Sequence, residues 1–405
     1  MNRPSSRPAV ARTAVSLDIG SSGLRAAQFS WRGRKCRLDR FAAAPTPEGA
    51  VVAGVVADPA ALAKGLKELW ALGKFSTKRV VFGLANDRIL VRQLDLDWME
   101  PADFRKALSY SVADQIPMSV DEANLDFHIL EEIAASAELG LERTLRVLLV
   151  AAGRDMVEGF VTAITEAGLQ PVKAELAPFA LIRAACPDGV GPARKHADGA
   201  AAPAEATTAE AIIDIGADTL TVVVHAGGQP RFVRTVGKLG GRYITGELQQ
   251  KFGWSYEEAE AAKAQYGLPR PRPAGIPEPR TSGVPEGGLV ALEHPAQQAI
   301  AERANAVVAE VRTTLNFFLS ASTGISGLSR VVLTGGGSSL SGLSERLAEG
   351  LKVDVTTLPT PSDMRLEGPA SQPGKHSADG VSGASLAPAS TTGLAMLAGL
   401  ALGMA

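Results

Sequence analysis

Cysteine is nearly absent from this 405-residue chain: Cys36 and Cys186 stand far apart and in no metal-ligand spacing. That excludes a disulfide scaffold and a cysteine-ligated zinc site, and it fits two structural thiols in a reducing compartment. Histidine is scarce as well. His128, His196, His225, His294 and His376 are scattered without the pairing a zinc site needs. Neither sign of charge dominates, with 41 Lys and Arg against 43 Asp and Glu for a net −2, so bulk electrostatics gives no case for nucleic acid or an anionic membrane. The basic start (Arg3, Arg7, Arg12) has no apolar run behind it and does not read as a secretory signal. Long hydrophobic runs are missing too. The longest apolar stretch, 393–405, is too short to span a bilayer and lacks the basic face of an interfacial helix, so a packed terminal helix is expected.

What is present is an ordinary globular composition, 45% hydrophobic and 21% charged, on a chain long enough to need two or more domains. Three stretches are too rich in Pro, Gly and Ala to build a core: 187–210, 269–288 and 359–390 are expected to be flexible insertions, and 1–12 a flexible tail. Between them short apolar strands alternate with helices, the signature of an α/β protein. Strands are expected at 14–18, 23–30, 36–41, 80–84, 89–94, 123–129 and 146–151, with helices at 59–72, 100–113 and 156–167. The second half repeats the opening, with strands at 211–214, 219–225 and 230–236. Helices at 243–252, 256–265 and 297–320, a strand at 331–334, a helix at 343–349 and a strand at 353–358 complete it.

The most informative feature is an internal echo. Val15-Ser16-Leu17-Asp18-Ile19-Gly20-Ser21-Ser22 and Ile212-Ile213-Asp214-Ile215-Gly216-Ala217-Asp218-Thr219 share one design: an apolar strand, Asp-Ile-Gly, small polar residues, then a second strand. The glycine lets the chain turn back tightly and brings backbone N–H groups close to an anion. The aspartates, Asp18 and Asp214, can hold a Mg²⁺ through water, because that ion keeps much of its hydration and needs few carboxylates. Two such hairpins facing each other would grip a triphosphate; one alone is an ordinary turn. Three further elements accompany them. Thr334-Gly335-Gly336-Gly337-Ser338 runs from a strand toward a helix, where glycines permit close approach of a ring or sugar. Glu260 and Lys263 stand one helical turn apart, where both could reach ribose hydroxyls and the base, or simply form a surface ion pair. Gly240-Gly241 could let the chain pass close to phosphates.

Hairpin, hairpin, Glu-x-x-Lys helix and Gly-Gly-Gly loop resemble the nucleotide-binding motifs of the actin-like ATPase superfamily. Within it, the chain is similar to the PilM family of type IV pilus assembly proteins. The similarity runs through Ser16-Leu17-Asp18-Ile19-Gly20-Ser21-Ser22 with Arg25, Pro47-Glu48-Gly49-Ala50-Val51-Val52 and Asp114-Gln115-Ile116-Pro117. It continues through Glu122-Ala123-Asn124-Leu125-Asp126-Phe127, 310–318, Leu333-Thr334-Gly335-Gly336-Gly337-Ser338 and Gly393-Leu394-Ala395.

The resemblance implies an α/β protein of actin-like ATPase fold, two ribonuclease H-like lobes with an inserted FtsA-type subdomain. Lobe I would comprise 13–84 and 166–186, the inserted partner-binding subdomain 85–165, and lobe II 211–358. The helix at 391–405 would pack back on lobe I. ATP and Mg²⁺ would sit between the lobes. Asp18, Gly20, Ser21 and Ser22 would form the first phosphate loop, and Asp214, Gly216 and Thr219 the second, with Gly240 and Gly241 beside the phosphates. Glu260, Lys263, Gly335, Gly336, Gly337 and Ser338 would form the adenosine site, and Glu175 would orient a catalytic water in what is at most a slow ATPase. The implied partners are the cytoplasmic N-terminal peptide of a PilN-like membrane protein and other inner-membrane platform proteins of the pilus. Neither nucleic acid nor direct membrane insertion is expected; the protein would be cytoplasmic and held at the inner face of the membrane by its partner. Two alternatives share the fold. A small-molecule kinase needs a carboxylate base, for which Asp218 and Glu175 are the candidates. A cell-division adaptor of the FtsA type usually ends in a basic amphipathic helix, which 393–405 is not.

Overall fold

A computed structural model describes residues 14–32, 35–135, 142–186, 207–268, 294–322, 324–358 and 389–404. The tail at 1–12, the loop at 269–288 and most of the insertions expected at 187–210 and 359–390 lie outside the described residues.

The chain opens with an antiparallel meander, β1 (Val15–Ile19), β2 (Gly23–Arg32) and β3 (Lys35–Pro45). A two-residue hairpin that the sequence reading missed, β4 (Val51–Val52) and β5 (Val55–Val56), leads into α1 (Pro59–Gly73). Local chemistry specifies this helix. Asp58 accepts a hydrogen bond from the Ala61 N–H at 3.0 Å, Pro59 fills the first turn, and Leu62, Leu66 and Leu69 bury one stripe. β6 (Arg79–Leu84) then pairs parallel with β1.

The chain next leaves this sheet. β7 (Leu90–Asp97), α2 (Pro101–Ser111), β8 (Ala123–Ile133) and β9 (Thr144–Gly153) form a separate antiparallel sheet in the order β7-β9-β8. It has its own core, in which Phe104, Leu108 and Val112 cover Leu145, Val147 and Leu149. α3 (Arg154–Glu166) returns to the first lobe, because its buried stripe, Met156, Phe160 and Ile164, packs with Leu62, Leu66 and Leu69 of α1. The inserted unit therefore closes at the end of β9 and not at residue 165. β10 (Gln170–Leu176), parallel to β6, and α4 (Ala177–Ala185) complete this half.

The second half is built alike from β11 (Thr207–Ile215), β12 (Thr219–Ala226), β13 (Gln229–Gly237), α5 (Gly241–Phe252), α6 (Tyr256–Tyr266), α7 (Pro295–Ala321), β14 (Ile325–Thr334), α8 (Leu343–Leu351) and β15 (Val355–Thr357). β11 begins inside the stretch expected to be a flexible insertion. Residues 207–210 pair with β14, Ala209 is fully buried and Glu210 meets Arg330 at 2.8 Å, so pairing orders a segment whose composition looked loop-like. β14 likewise starts six residues before the expected strand, over a half-buried Gly- and Ser-containing stretch without apolar alternation.

The two five-stranded sheets have the orders β10-β6-β1-β2-β3 and β13-β12-β11-β14-β15. Read from opposite ends these are one topology, with the first strand central, an antiparallel neighbour on one side and a parallel neighbour on the other. α9 (Ala389–Leu402) is apolar all round and buried on two sides, as such a helix must be. Leu394, Leu397 and Ala398 face Ala27, Phe29 and Leu38, whereas Ala395, Met396 and Leu400 join α4. The second of these clusters also takes in Ile212, Val223 and Val332, so a single apolar floor joins the two halves. Among the described residues no helix is long and apolar enough to cross a membrane.

Candidate functional site

Above that floor lies a cleft of about 550 Å³ lined by both halves. The echoed hairpins meet there, and their turns are closed by the same hydrogen bond. Gly20 N–H donates to the Gly23 carbonyl at 3.0 Å, and Gly216 N–H donates to the Thr219 carbonyl at 2.9 Å. Each turn ends the central strand of its sheet, which points Asp18 and Asp214 into the cleft from opposite lobes.

The two carboxylates feel each other. Desolvation first, and then the charge of Asp18, push Asp214 up to about 6, while Arg25 pulls the other way. Desolvation also raises Asp18, against the Arg25 guanidinium 3.1 Å from its Oδ2. Arg25 faces Asp18 across the β1–β2 register, so the pairing is set by the sheet. A pair of desolvated carboxylates with one cation is an arrangement that a hydrated divalent ion would relieve, and two carboxylates plus water is a donor set Mg²⁺ accepts.

Glycine is obligatory where the other loops approach. Gly335 has φ +81°, and a Cβ there would meet Asp214 Oδ1 at 2.3 Å. A Cβ on Gly240 would meet the Ala217 carbonyl oxygen at 2.2 Å. Gly241 N–H donates to the Gly216 carbonyl and Arg242 N–H to the Ala217 carbonyl, both at 2.9 Å, which fastens the start of α5 to the second hairpin.

On the wall of the cleft beside α5, α6 is fixed by a capping box between Ser255 and Glu258 and presents Tyr256, Glu260 and Lys263. Lys263 commits its three donors to Glu260 Oε1 at 2.6 Å, Thr245 Oγ1 at 2.9 Å and the Gly241 carbonyl at 3.3 Å. In this arrangement it braces α5 against α6 at the wall of the cleft. Thr245 also donates to Glu260 Oε1.

The cleft thus gathers Asp18, Gly20, Ser21, Ser22, Asp214, Gly216, Thr219, Gly240, Gly241, Glu260, Lys263, Gly335, Gly336 and Gly337. Two expectations are corrected. Ser338 turns its hydroxyl back onto the Gly335 carbonyl at 2.7 Å, and Ser339 lines the cleft in its place. Glu175, expected to orient a water, is not among the cleft residues. It lies on β10, and its carboxylate is held by Arg183 and by Lys173 at 3.1 Å. Two anchoring cations and a side chain only 9% exposed fit a structural role beneath α9.

Sequence reading missed Arg242, Thr245, Tyr256, Gly393 and Met396, which also line the cleft or brace it. The one available signal was the position of Arg242 directly after Gly240-Gly241. Asp218, weighed as a kinase base, is taken: its Oδ2 accepts from the Ala53 N–H at 2.9 Å, and Arg242 meets its Oδ1 at 3.1 Å.

Two lobes of one topology, an antiparallel insert in the first and a cleft between twin hairpins define an actin-like ATPase fold: two ribonuclease H-like lobes with an inserted subdomain of the FtsA type. The sequence profile of the type IV pilus assembly protein PilM family matches residues 16–282, and that of cell division protein FtsA matches 211–386. The chain belongs to the PilM family. Among solved structures it is similar to a chain of a PilM-PilN type IV pilus biogenesis complex, with 24% identity and a TM-score of 0.72 over 97% of this chain and 98% of that one. Looser likenesses are to the ethanolamine utilization protein EutJ from Carboxydothermus hydrogenoformans (14% identity, TM-score 0.45, 87% of this chain and 89% of that one) and to ADP-bound MreB5 of Spiroplasma citri (12%, 0.46, 86% and 92%).

Proposed function

We propose that the chain is a nucleotide-dependent adaptor of type IV pilus assembly, binding one ATP with Mg²⁺ between its lobes and linking nucleotide state to capture of the cytoplasmic N-terminal tail of a PilN-like membrane protein. The observation that carries the reading is the meeting of Asp18 and Asp214, one from each lobe, on turns closed by the same hydrogen bond. The turns at Gly20, Ser21, Ser22, Gly216 and Thr219 would surround the phosphates, with hydroxyls from Ser21, Ser22 and Thr219, while Gly240 and Gly241 let the chain pass close to them; the N–H groups of Gly20, Gly216 and Gly241 are spent on the turns themselves. Asp18 and Asp214 would hold Mg²⁺ through water, and the bound ion would supply charge neutralisation of the polyphosphate. Gly335, Gly336 and Gly337 would admit the adenosine. Glu260, whose Oε1 is engaged, would offer Oε2 to the ribose hydroxyls.

The partner reading is supported by the family and by the neighbour solved as a PilM-PilN complex. The separate core of the β7-β9-β8 sheet makes it a unit that can present its own surface, and a short peptide laid in a groove beside it is a common mode of recognition. On this reading the protein is cytoplasmic, held at the inner face of the membrane by its partner and other platform proteins, and any hydrolysis is slow. A small-molecule kinase is disfavoured because Asp218 already has partners and Glu175 lies outside the cleft.

The first test is thermal. ATP with Mg²⁺ at about 100 times Kd should add roughly 2.7 kcal/mol of stability. A melting curve that ATP and Mg²⁺ leave unmoved at millimolar concentration sinks the nucleotide part. The second test is titration of the PilN-like tail peptide with and without nucleotide. Linkage requires that any change of peptide affinity by ATP equal the change of ATP affinity by peptide.

A further inference from the structure

The apolar cluster that joins the lobes lies at the bottom of the cleft, so any opening must occur at its mouth. Two polar side chains span that mouth. Asp218, 4% exposed on the second hairpin, accepts the Ala53 N–H of the first lobe at 2.9 Å. Arg242, fastened to the same hairpin by its backbone N–H, pairs with Asp218 at 3.1 Å and donates from Nη2 to the Ser21 carbonyl of the first hairpin at 2.9 Å. Both cross-lobe bonds end on backbone groups and therefore report the position of the first lobe itself.

The receiving turn is built for this contact. Ala53 is a non-glycine residue at φ +50°, followed by Gly54 at φ +74°, where a Cβ would meet the Ala85 carbonyl oxygen at 2.4 Å. A left-handed alanine is strained, and such strain persists only where the surroundings fix it. The two-residue turn between β4 and β5 demands positive φ at both positions, and in that conformation the Ala53 N–H meets Asp218.

We propose that Asp218 and Arg242 form a clasp across the mouth of the cleft that sets the spacing of the two phosphate hairpins and thereby controls release of the bound nucleotide. The inference rests on the nucleotide reading above and deepens it. Arg242 is a positioning residue, and its forked guanidinium is what allows one side chain to hold Asp218 and Ser21 together; a lysine ammonium lacks that geometry.

The test is carried out on the full chain with the native cysteines replaced by serine and spin labels at the exposed positions Leu72→Cys in α1 and Gln250→Cys in α5. Without nucleotide, pulsed dipolar spectroscopy should give one narrow distance. Arg242→Ala and Asp218→Asn should both lengthen and broaden it, and Arg242→Lys should not restore it. Release of a fluorescent ATP analogue, followed by stopped flow, should accelerate roughly tenfold in Arg242→Ala, the size that loss of one charge-assisted hydrogen bond supports. Arg242 is 40% exposed, so its loss leaves the core intact, and circular dichroism checks this. An unchanged distance in both folded variants overturns the clasp, as does faster release without any change in distance. If the parent protein shows the clasp-dependent distance but takes up no ATP, the nucleotide reading falls and the clasp stands.

Discussion

Asp214→Asn is expected to raise the melting temperature of the nucleotide-free protein at pH 7.5 and to abolish its stabilisation by ATP and Mg²⁺. The two effects have opposite signs from one cause. Desolvation and the neighbouring Asp18 charge push the Asp214 pKa up from 3.8 to about 6. A carboxyl whose folded pKa lies above its unfolded value contributes stability that is full below about pH 4 and lost as pH rises to about 6. At pH 7.5 the ionised group therefore costs on the order of 2–3 kcal/mol, which a neutral amide of the same shape would recover as a gain of several degrees. The same carboxylate is the proposed outer ligand of Mg²⁺, so its loss should weaken ATP binding at least about a hundredfold, near 3 kcal/mol. Parent protein should also release about half a proton on binding Mg²⁺ and ATP at pH 6, read by calorimetry in buffers of different ionisation enthalpy, and the variant none from this group. An Asn variant that melts lower than the parent and still responds to Mg²⁺ and ATP would overturn the assignment.

Gly399→Ala is expected to be among the most damaging single-methyl additions in the molecule. α9 crosses α4 at this glycine, where a Cβ would lie 1.8 Å from the Ala180 carbonyl oxygen. That neighbour is backbone, so the helices must separate and no side chain can swing aside. Overpacking of this kind costs about 3 kcal/mol or more. The damage should reach the cleft, because Gly393 and Met396 of α9 line it and Gly393 packs on Arg25. Denaturant unfolding should show the loss and the thermal response to ATP should shrink with it. Gly246→Ala in α5, where nothing lies within 4 Å of the added carbon, should instead stabilise by about 0.5–1 kcal/mol. Equal stabilities for the two variants would refute the packing argument.

Most of the fold could be read from the chain, because the repeated strand–Asp-Ile-Gly–strand pattern announced two related lobes and apolar periodicity marked the helices. What escaped has physical reasons. β4 and β5 are two residues each, below the length at which alternation carries a signal. Thr207–Glu210 and Ile325–Arg330 become strands only by pairing with each other, which is information between distant segments. Met156, Phe160 and Ile164 of α3 were legible as a stripe, but nothing local said that the stripe faces α1 and not the insert. In the cleft, glycines and aspartates were legible because few other residues can do what they do there. Arg242, Ala53 and Thr245 were not, since surface arginines, alanines and threonines occur everywhere and only the meeting of the lobes gives these three a role. Glu175 was misread for the converse reason: its cationic neighbours Lys173 and Arg183 are visible in sequence, but their convergence on one carboxylate beneath α9 is not.

The seating of α9 has a bearing on biosynthesis. The lobe that begins at β1 acquires its last cover from a helix encoded after the entire other lobe, so residues such as Leu38 and Ala180 await a partner more than two hundred positions downstream. A ribosome extending the chain at roughly 5–20 residues per second would leave that face uncovered for ten seconds or more. Through that interval the nascent amino-terminal lobe presents apolar surface to its surroundings, which makes it a natural client of chaperones acting at the ribosome.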